Sequence, residues 1–197
     1  MSQHNTIGWI RHGVTEWNLL GKIQGTTDTT LSAEGIAQAR LLAERLAGES
    51  KRWNGIVASD LKRAATTGRI IADRLGLPLL TDARLRERSF GQAEGTTLPE
   101  RLSRWGDDWR AVVPDQEQNA SVVERGQAFV DELVAEYPGQ SWLIVTHGSF
   151  LATMIKHMCG ELDDRHIQNV SLTVLEQEAN GWKSLLHNCT LHLQATS

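Results

Sequence analysis

At 197 residues and a net charge of −4, the chain has room for one domain of ordinary size and has no global basic field to draw in nucleic acid. Its residues are 40% hydrophobic and 22% charged, enough apolar material for a packed core, which excludes a disordered chain. No charged-then-apolar leader precedes the first strand, and no apolar run approaches the roughly 18 residues of a membrane span. The expectation is a soluble, cytoplasmic protein with no membrane or nucleic-acid partner.

Residues 6–10 read as a short apolar strand running into Arg11-His12-Gly13. Residues 14–31 lack periodicity and read as a loop with one helical turn near 16–20. Ser32 is placed to cap a helix whose apolar residues, Ile36, Ala39, Leu42, Ala43 and Leu46, fall at helical spacing. A buried strand at 55–58 follows. Ser59-Asp60 is read as the cap of a helix over 61–75, which Gly76-Leu77-Pro78 stops. Residues 79–85 lead, extended, into Arg86-Glu87-Arg88. The stretch 92–120 is irregular and predicts short helices forming a small lobe or lid, stapled by Trp105 and Trp109. Residues 121–137 read as an amphipathic helix with Val122, Val123, Ala128, Phe129, Leu133 and Val134 near one face.

Residues 142–146 form the most apolar short run and predict a central parallel strand. It enters His147-Gly148 and then a helix over 149–159. Strands at 171–177 and 182–186 flank Asn180-Gly181, a hairpin signal, and 190–197 read as a short tail. Cys159 and Cys189 lie far apart, outside any C-x-x-C, and are expected to be free thiols. The order predicts an α/β three-layer sandwich. A mainly parallel central sheet is flanked by helices, with a small helical lobe inserted around 92–120 and a C-terminal hairpin, all in one domain over 1–197.

The chemistry concentrates at two strand ends that both finish in His-Gly, at His12 and His147. If these strands are parallel neighbours, both imidazoles emerge at the carboxyl edge of the sheet, where ligands bind in open α/β folds. Arg11 can hold a phosphoryl group by two parallel hydrogen bonds. Gly148 opens a helix whose free N–H groups favour an anion. Arg63, in the first turn of its helix, opposes the helix dipole, a mild cost that a nearby dianion would offset. Glu87 could give a proton to a leaving oxygen, although Arg86 and Arg88 beside it also permit a plain surface salt bridge. The other histidines, His4, His157, His166, His187 and His192, show no metal-ligand spacing and are read as structural or surface.

Five motifs in order give the chain its resemblance to a known family. They are Arg11-His12-Gly13-x-Thr15-x-Trp17-Asn18, Gln24-Gly25-x-x-Asp28-x-x-Leu31, Ser59-x-Leu61-x-Arg63-Ala64-x-x-Thr67, Leu85-x-Glu87-x-x-x-Gly91 and Thr146-His147-Gly148. The chain resembles the histidine phosphatase superfamily, also called phosphoglycerate mutase-like, in its small bacterial phosphatase branch. The resemblance implies that His12 is a nucleophile that becomes phosphorylated. It implies that Arg11, Arg63 and a charged His147 bind phosphate, that Glu87 donates the proton, and that Asn18 and Gln24 line the phosphate pocket. It implies no metal and no cofactor.

The implied reaction is metal-independent hydrolysis of small phosphorylated metabolites, with broad specificity. The alternatives are a dedicated α-ribazole phosphatase or phosphoserine phosphatase, or a cofactor-dependent phosphoglycerate mutase. A phospho-ligand-binding module without turnover is a further class, but its members usually lose the nucleophile or an arginine, and here every position is filled. Two departures stand out: Thr30 where a proline is common, and Ala93 where small members carry an aromatic. Ala93 is expected to reshape the pocket near the leaving group. Arg101 and Arg104 are surface charge or contacts to a second acidic group. Oligomeric state is not readable.

Overall fold

The computed structural model describes residues 4–160, 162 and 166–194. Its chain order is β1 (Thr6–Arg11), α1 (Glu16–Leu19), α2 (Ala33–Gly48), β2 (Gly55–Ala58), α3 (Lys62–Leu75), β3 (Leu79–Thr81), α4 (Leu98–Trp105), α5 (Trp109–Val112), α6 (Asn119–Glu136), β4 (Ser141–Thr146), α7 (Gly148–Cys159), β5 (Leu172–Glu178) and β6 (Gly181–Cys189). The six strands form one sheet in the order β3-β2-β4-β1-β5-β6. The first four are parallel, and the C-terminal hairpin continues the sheet antiparallel through β5. This is the mixed α/β sandwich that the alternation of strand and helix predicts.

Strand alternation splits the core in two. On β1, Ile7 and Trp9 face α6 and α7, where they join Val122, Phe129, Phe150 and Leu151. Ile10 faces the other way, with Leu42, Leu46, Ala64 and Ile71 of α2 and α3. Both faces of the central strands are covered, so β1 and β4 read as nearly continuous apolar runs. Each such buried side chain contributes roughly 1.5–3 kcal/mol. A third, smaller core of Phe90, Ala93, Trp109 and Val113, with Trp105 and Ile23 against it, holds the lobe. Trp109 is the staple, and Trp105 packs at the edge.

The start of α2 fits its predicted cap, because Ser32 Oγ accepts the Gly35 N–H at 3.1 Å. A Cβ on Gly13 would stand 2.5 Å from the Gly35 carbonyl oxygen, so glycine is what lets α2 come up beneath the loop after β1. Several expectations are corrected. Ser59-Asp60 is not the cap of α3: Leu61 holds that position, and Asp60 instead pairs with Arg86. Residues 79–85 do not stay extended, because Asp82 accepts the Arg84 N–H and bends 83–85 into a single 3-10 turn. On α6, Val123 is only half-buried and Ala128 is exposed, while Val130 takes the inward position. The segment after β6 is not a loose tail as far as residue 194. Leu191–Leu193 form a turn that buries His192, and Leu193 packs on the α2 side of the core. Residues 195–197 lie outside the described residues.

Candidate active site

β1 and β4 are parallel neighbours in a register that sets Arg11 opposite Thr146. His12 and His147 therefore leave the sheet at one level, and the His12 N–H donates to the Thr146 carbonyl at 2.9 Å. The two imidazole rings lie 5.2 Å apart, centroid to centroid. Both are buried. His12 Nδ1 is 2.7 Å from the Gly13 carbonyl oxygen. A carbonyl can only accept, so Nδ1 carries the proton and Nε2 keeps its lone pair. Burial, then the charges of Arg63 and Arg11, push the His12 pKa well below the ordinary histidine value, so the ring is neutral at pH 7.

The two arginines are held by carbonyls rather than carboxylates. Arg63, on the first turn of α3 and fully buried, donates through Nη1 to Thr27 O and through Nη2 to Gly25 O, both at 2.7 Å. Burial lowers its pKa to about 10. Arg11 Nη1 donates to Ile167 O at 2.6 Å. The Nε atoms of both arginines and His147 Nδ1 are buried and have no acceptor among the described residues. Gly148 lies under Arg11, and a Cβ there would stand 3.1 Å from Arg11 Nε.

Asn18 and Gln24 converge on Thr15. Asn18 Oδ1 accepts the Thr15 N–H at 3.1 Å, and Gln24 Oε1 lies 3.0 Å from the Thr15 hydroxyl. With their carbonyl oxygens engaged, both amides have an NH₂ group to offer.

Glu87 makes no ion pair with the arginines beside it. Arg86 goes to Asp60, and Arg88 goes to Asn119 Oδ1 and Glu117 O. The Glu87 carboxyl instead caps α7, accepting from the N–H groups of Ser149 at 2.9 Å and Phe150 at 2.7 Å. The helix terminus expected to favour an anion thus holds this carboxyl. Burial, followed by Arg63, His12, Arg11 and Arg125, drives the His147 pKa well below the ordinary value, so these surroundings work against the expected imidazolium.

Thr67, quoted in its motif but given no role, accepts the Gly13 N–H at 3.1 Å. Sequence reasoning missed further residues here. Asn169 Nδ2 donates to the His12 carbonyl at 2.9 Å. Val170 N donates to Arg11 O at 3.0 Å. A cleft of about 580 Å³ opens beside Arg11, Glu87 and Gly148, and Lys22, Arg88, Arg101, Arg110, His166 and Ile167 line it. His166, read as structural or surface, is exposed and is part of the wall of this cleft. Ala93 is not: it is fully buried in the lobe core, and Arg104 also stays outside. Among the described residues, no group of three or more His, Cys, Asp or Glu could hold a metal ion.

The family model for the histidine phosphatase superfamily (branch 1) matches residues 7–190. The chain belongs to that superfamily. The histidine phosphatase assignment fits the relatives. An uncharacterized phosphatase, PhoE of Bacillus subtilis, is 35% identical over 187 residues, covering 93% of this chain and 94% of its own. A probable phosphoglycerate mutase, GpmB of Yersinia enterocolitica, is 33% identical over 186 residues, covering 88% and 85%. The solved structure of a mycobacterial glucosyl-3-phosphoglycerate phosphatase with VO3 superposes with a TM-score of 0.82 at 28% identity, covering 93% of this chain and 98% of that one. The chain is thus a histidine phosphatase-type enzyme, a phosphoric monoester hydrolase. Among its described residues, no helix is long and apolar enough to cross a membrane.

Proposed function

We propose that this chain hydrolyses small phosphate monoesters in the cytoplasm through a phosphohistidine on His12, without a metal. The observation that carries the reading is the free lone pair of His12 Nε2, fixed by the Nδ1 bond to Gly13 and flanked by two carboxylate-free guanidinium groups. In the first step Nε2 attacks phosphorus in line, the ester P–O bond breaks, and Glu87 gives its proton to the departing alkoxide. Arg11, Arg63, His147, the amides of Asn18 and Gln24 and the N–H of Gly148 hold the equatorial oxygens, which is most of what phosphoryl transfer requires. In the second step the Glu87 carboxylate takes a proton from water, the water oxygen bonds phosphorus, and the N–P bond breaks to free inorganic phosphate. The test is p-nitrophenyl phosphate in EDTA: the wild type turns over and His12→Ala does not. Loss of activity in EDTA, or full activity in His12→Ala, overturns the mechanism.

A second reading concerns the alcohol. Lys22, Arg88, Arg101 and Arg110 line the cleft and make no ion pair with a described residue, and Glu87 is the one carboxylate among the described lining residues. Arg101 and Arg110 both stack on Trp109, with their guanidinium carbons 4.7 and 4.3 Å from its ring centroid. Burial and the charge of Arg110 lower the Arg101 pKa, against a smaller opposing pull from Glu100. This favours esters whose alcohol bears a further acidic group, such as phosphoglycerates or phosphoserine, over α-ribazole phosphate. A panel of 3-phosphoglycerate, phosphoserine, α-ribazole phosphate and p-nitrophenyl phosphate decides it. Arg110→Ala should raise KM for the acidic esters alone. Isomerisation of 3-phosphoglycerate with little phosphate release would make the chain a mutase.

A further inference from the structure

His147 has one ring nitrogen engaged and one idle. Its Nε2 lies 2.8 Å from the hydroxyl of Ser59, and its Nδ1 is buried with no partner among the described residues. Ser59 stands at the end of β2, fully buried, and its Oγ also accepts the Leu61 N–H at 3.3 Å. A hydroxyl has one hydrogen and two lone pairs. With a lone pair already given to Leu61, the hydrogen needs an acceptor. An unsatisfied buried hydroxyl is costly, and the only acceptor in reach among the described residues is His147 Nε2. Nε2 must then be bare, and the proton of the neutral ring must sit on Nδ1.

We propose that Ser59 is a positioning residue that locks His147 in its Nδ1–H tautomer, so that the ring donates a hydrogen bond to a phosphoryl oxygen while uncharged. The role ordinarily filled by an imidazolium then needs no extra proton. The surroundings agree. The groups facing His147 are His12 and Arg11 from β1, Arg63 from α3 and Arg125 from α6, all opposed to a positive ring. The nearby carboxyl, Glu87, is spent on the N–H groups of Ser149 and Phe150. A ring held neutral in the wrong tautomer would turn a lone pair toward the phosphate and repel it. Ser59 removes that possibility through a neutral contact, and the site keeps His147 useful at pH values where free histidine is uncharged.

This rests on the phosphatase reading, but its first test does not need turnover. Side-chain ¹⁵N NMR of the ligand-free full-length protein at pH 7.5 should show His147 protonated at Nδ1 and bare at Nε2, and inorganic phosphate should shift the Nδ1 proton resonance. An Nε2–H tautomer, or an imidazolium at that pH, overturns the proposal even if His12→Ala is inactive. The second test is the pH profile of kcat/KM for p-nitrophenyl phosphate. Ser59→Ala should lose at least about tenfold at pH 8, and the loss should shrink only once the pH is low enough to charge the ring, which can then donate from both nitrogens. Ser59→Thr, which keeps the hydroxyl, should restore the wild-type profile. A uniform loss in Ser59→Ala at every pH, or the same loss in Ser59→Thr, would make Ser59 only a packing residue.

Discussion

Glu94 accepts both the backbone N–H of Thr27, at 2.9 Å, and its hydroxyl, at 2.5 Å. The same carboxylate takes the N–H groups of Thr26 and Phe90. Thr27 O and Gly25 O are in turn the two acceptors that hold the guanidinium of Arg63. A lobe residue thereby sets the position of the buried Arg63 guanidinium.

Glu94→Ala should therefore act on both stability and catalysis. Leaving these N–H groups without their acceptor should cost about 1–3 kcal/mol in denaturant unfolding. With Arg63 loosened, kcat/KM should fall by roughly tenfold or more, since one misplaced charge near phosphorus is felt directly. Glu94→Gln keeps one acceptor oxygen and should lie between. Wild-type kinetics in Glu94→Ala would break the link from lobe to Arg63.

The phosphohistidine itself can be trapped. Acid-labile, alkali-stable phosphate should appear on His12 when the enzyme is mixed with substrate and quenched within one turnover. His12→Asn should fold normally, bind phosphate, and show neither label nor turnover. Label on His147 instead would reverse the roles of the two rings.

Acid should unfold this protein early. His12 and His147 are held neutral well below the ordinary value of 6.5, and burial followed by Arg45 lowers His192 to about 4. Unfolding restores ordinary histidines, which take up protons below about pH 6.5. The unfolded chain then binds more protons than the fold, so stability falls as pH drops through that value. The slope approaches about 1.4 kcal/mol per pH unit for each proton withheld. His192 is buried beside Arg45, so His192→Gln should flatten part of the slope without touching activity. A Tm independent of pH between 7.5 and 5 would refute this.

Gly13→Ala tests the close approach under the site. The added methyl would meet the Gly35 carbonyl oxygen at 2.5 Å. Backbone must shift, at a cost of about 1–3 kcal/mol. Activity should fall further than stability alone explains, because Gly13 O orients His12.

The parts that were readable before any coordinates share a cause. Arg11, His12 and His147 stand where an apolar run ends in a glycine, and the period of the run alone places them at a sheet edge. Arg63 and Glu87 needed their surrounding motifs, since an arginine on a helix and a glutamate between arginines look like surface. Ser59 was misread because a serine before a helix has the pattern of a cap whether or not it makes one. Ile167 contributes only its carbonyl, a group every residue has, so no sequence signal could have marked it. Lys22, Arg88 and Arg110 meet only when the lobe folds over the cleft, and that segment has no periodicity to reveal its path.

The strand order also has a consequence for how the molecule is made. Among the described strands β1 bonds only to β4 and β5, so it leaves the ribosome without a partner until residues 141–146 follow it. Until then Ile7, Trp9 and Ile10 are bare on a strand with both edges open, the kind of segment that sticks to other chains. Nascent chains stopped before β4 should depend on holding chaperones, and release should coincide with emergence of the second His-Gly pair. The joining of the two strands that end in His-Gly is thus also the last closure of the parallel sheet during synthesis.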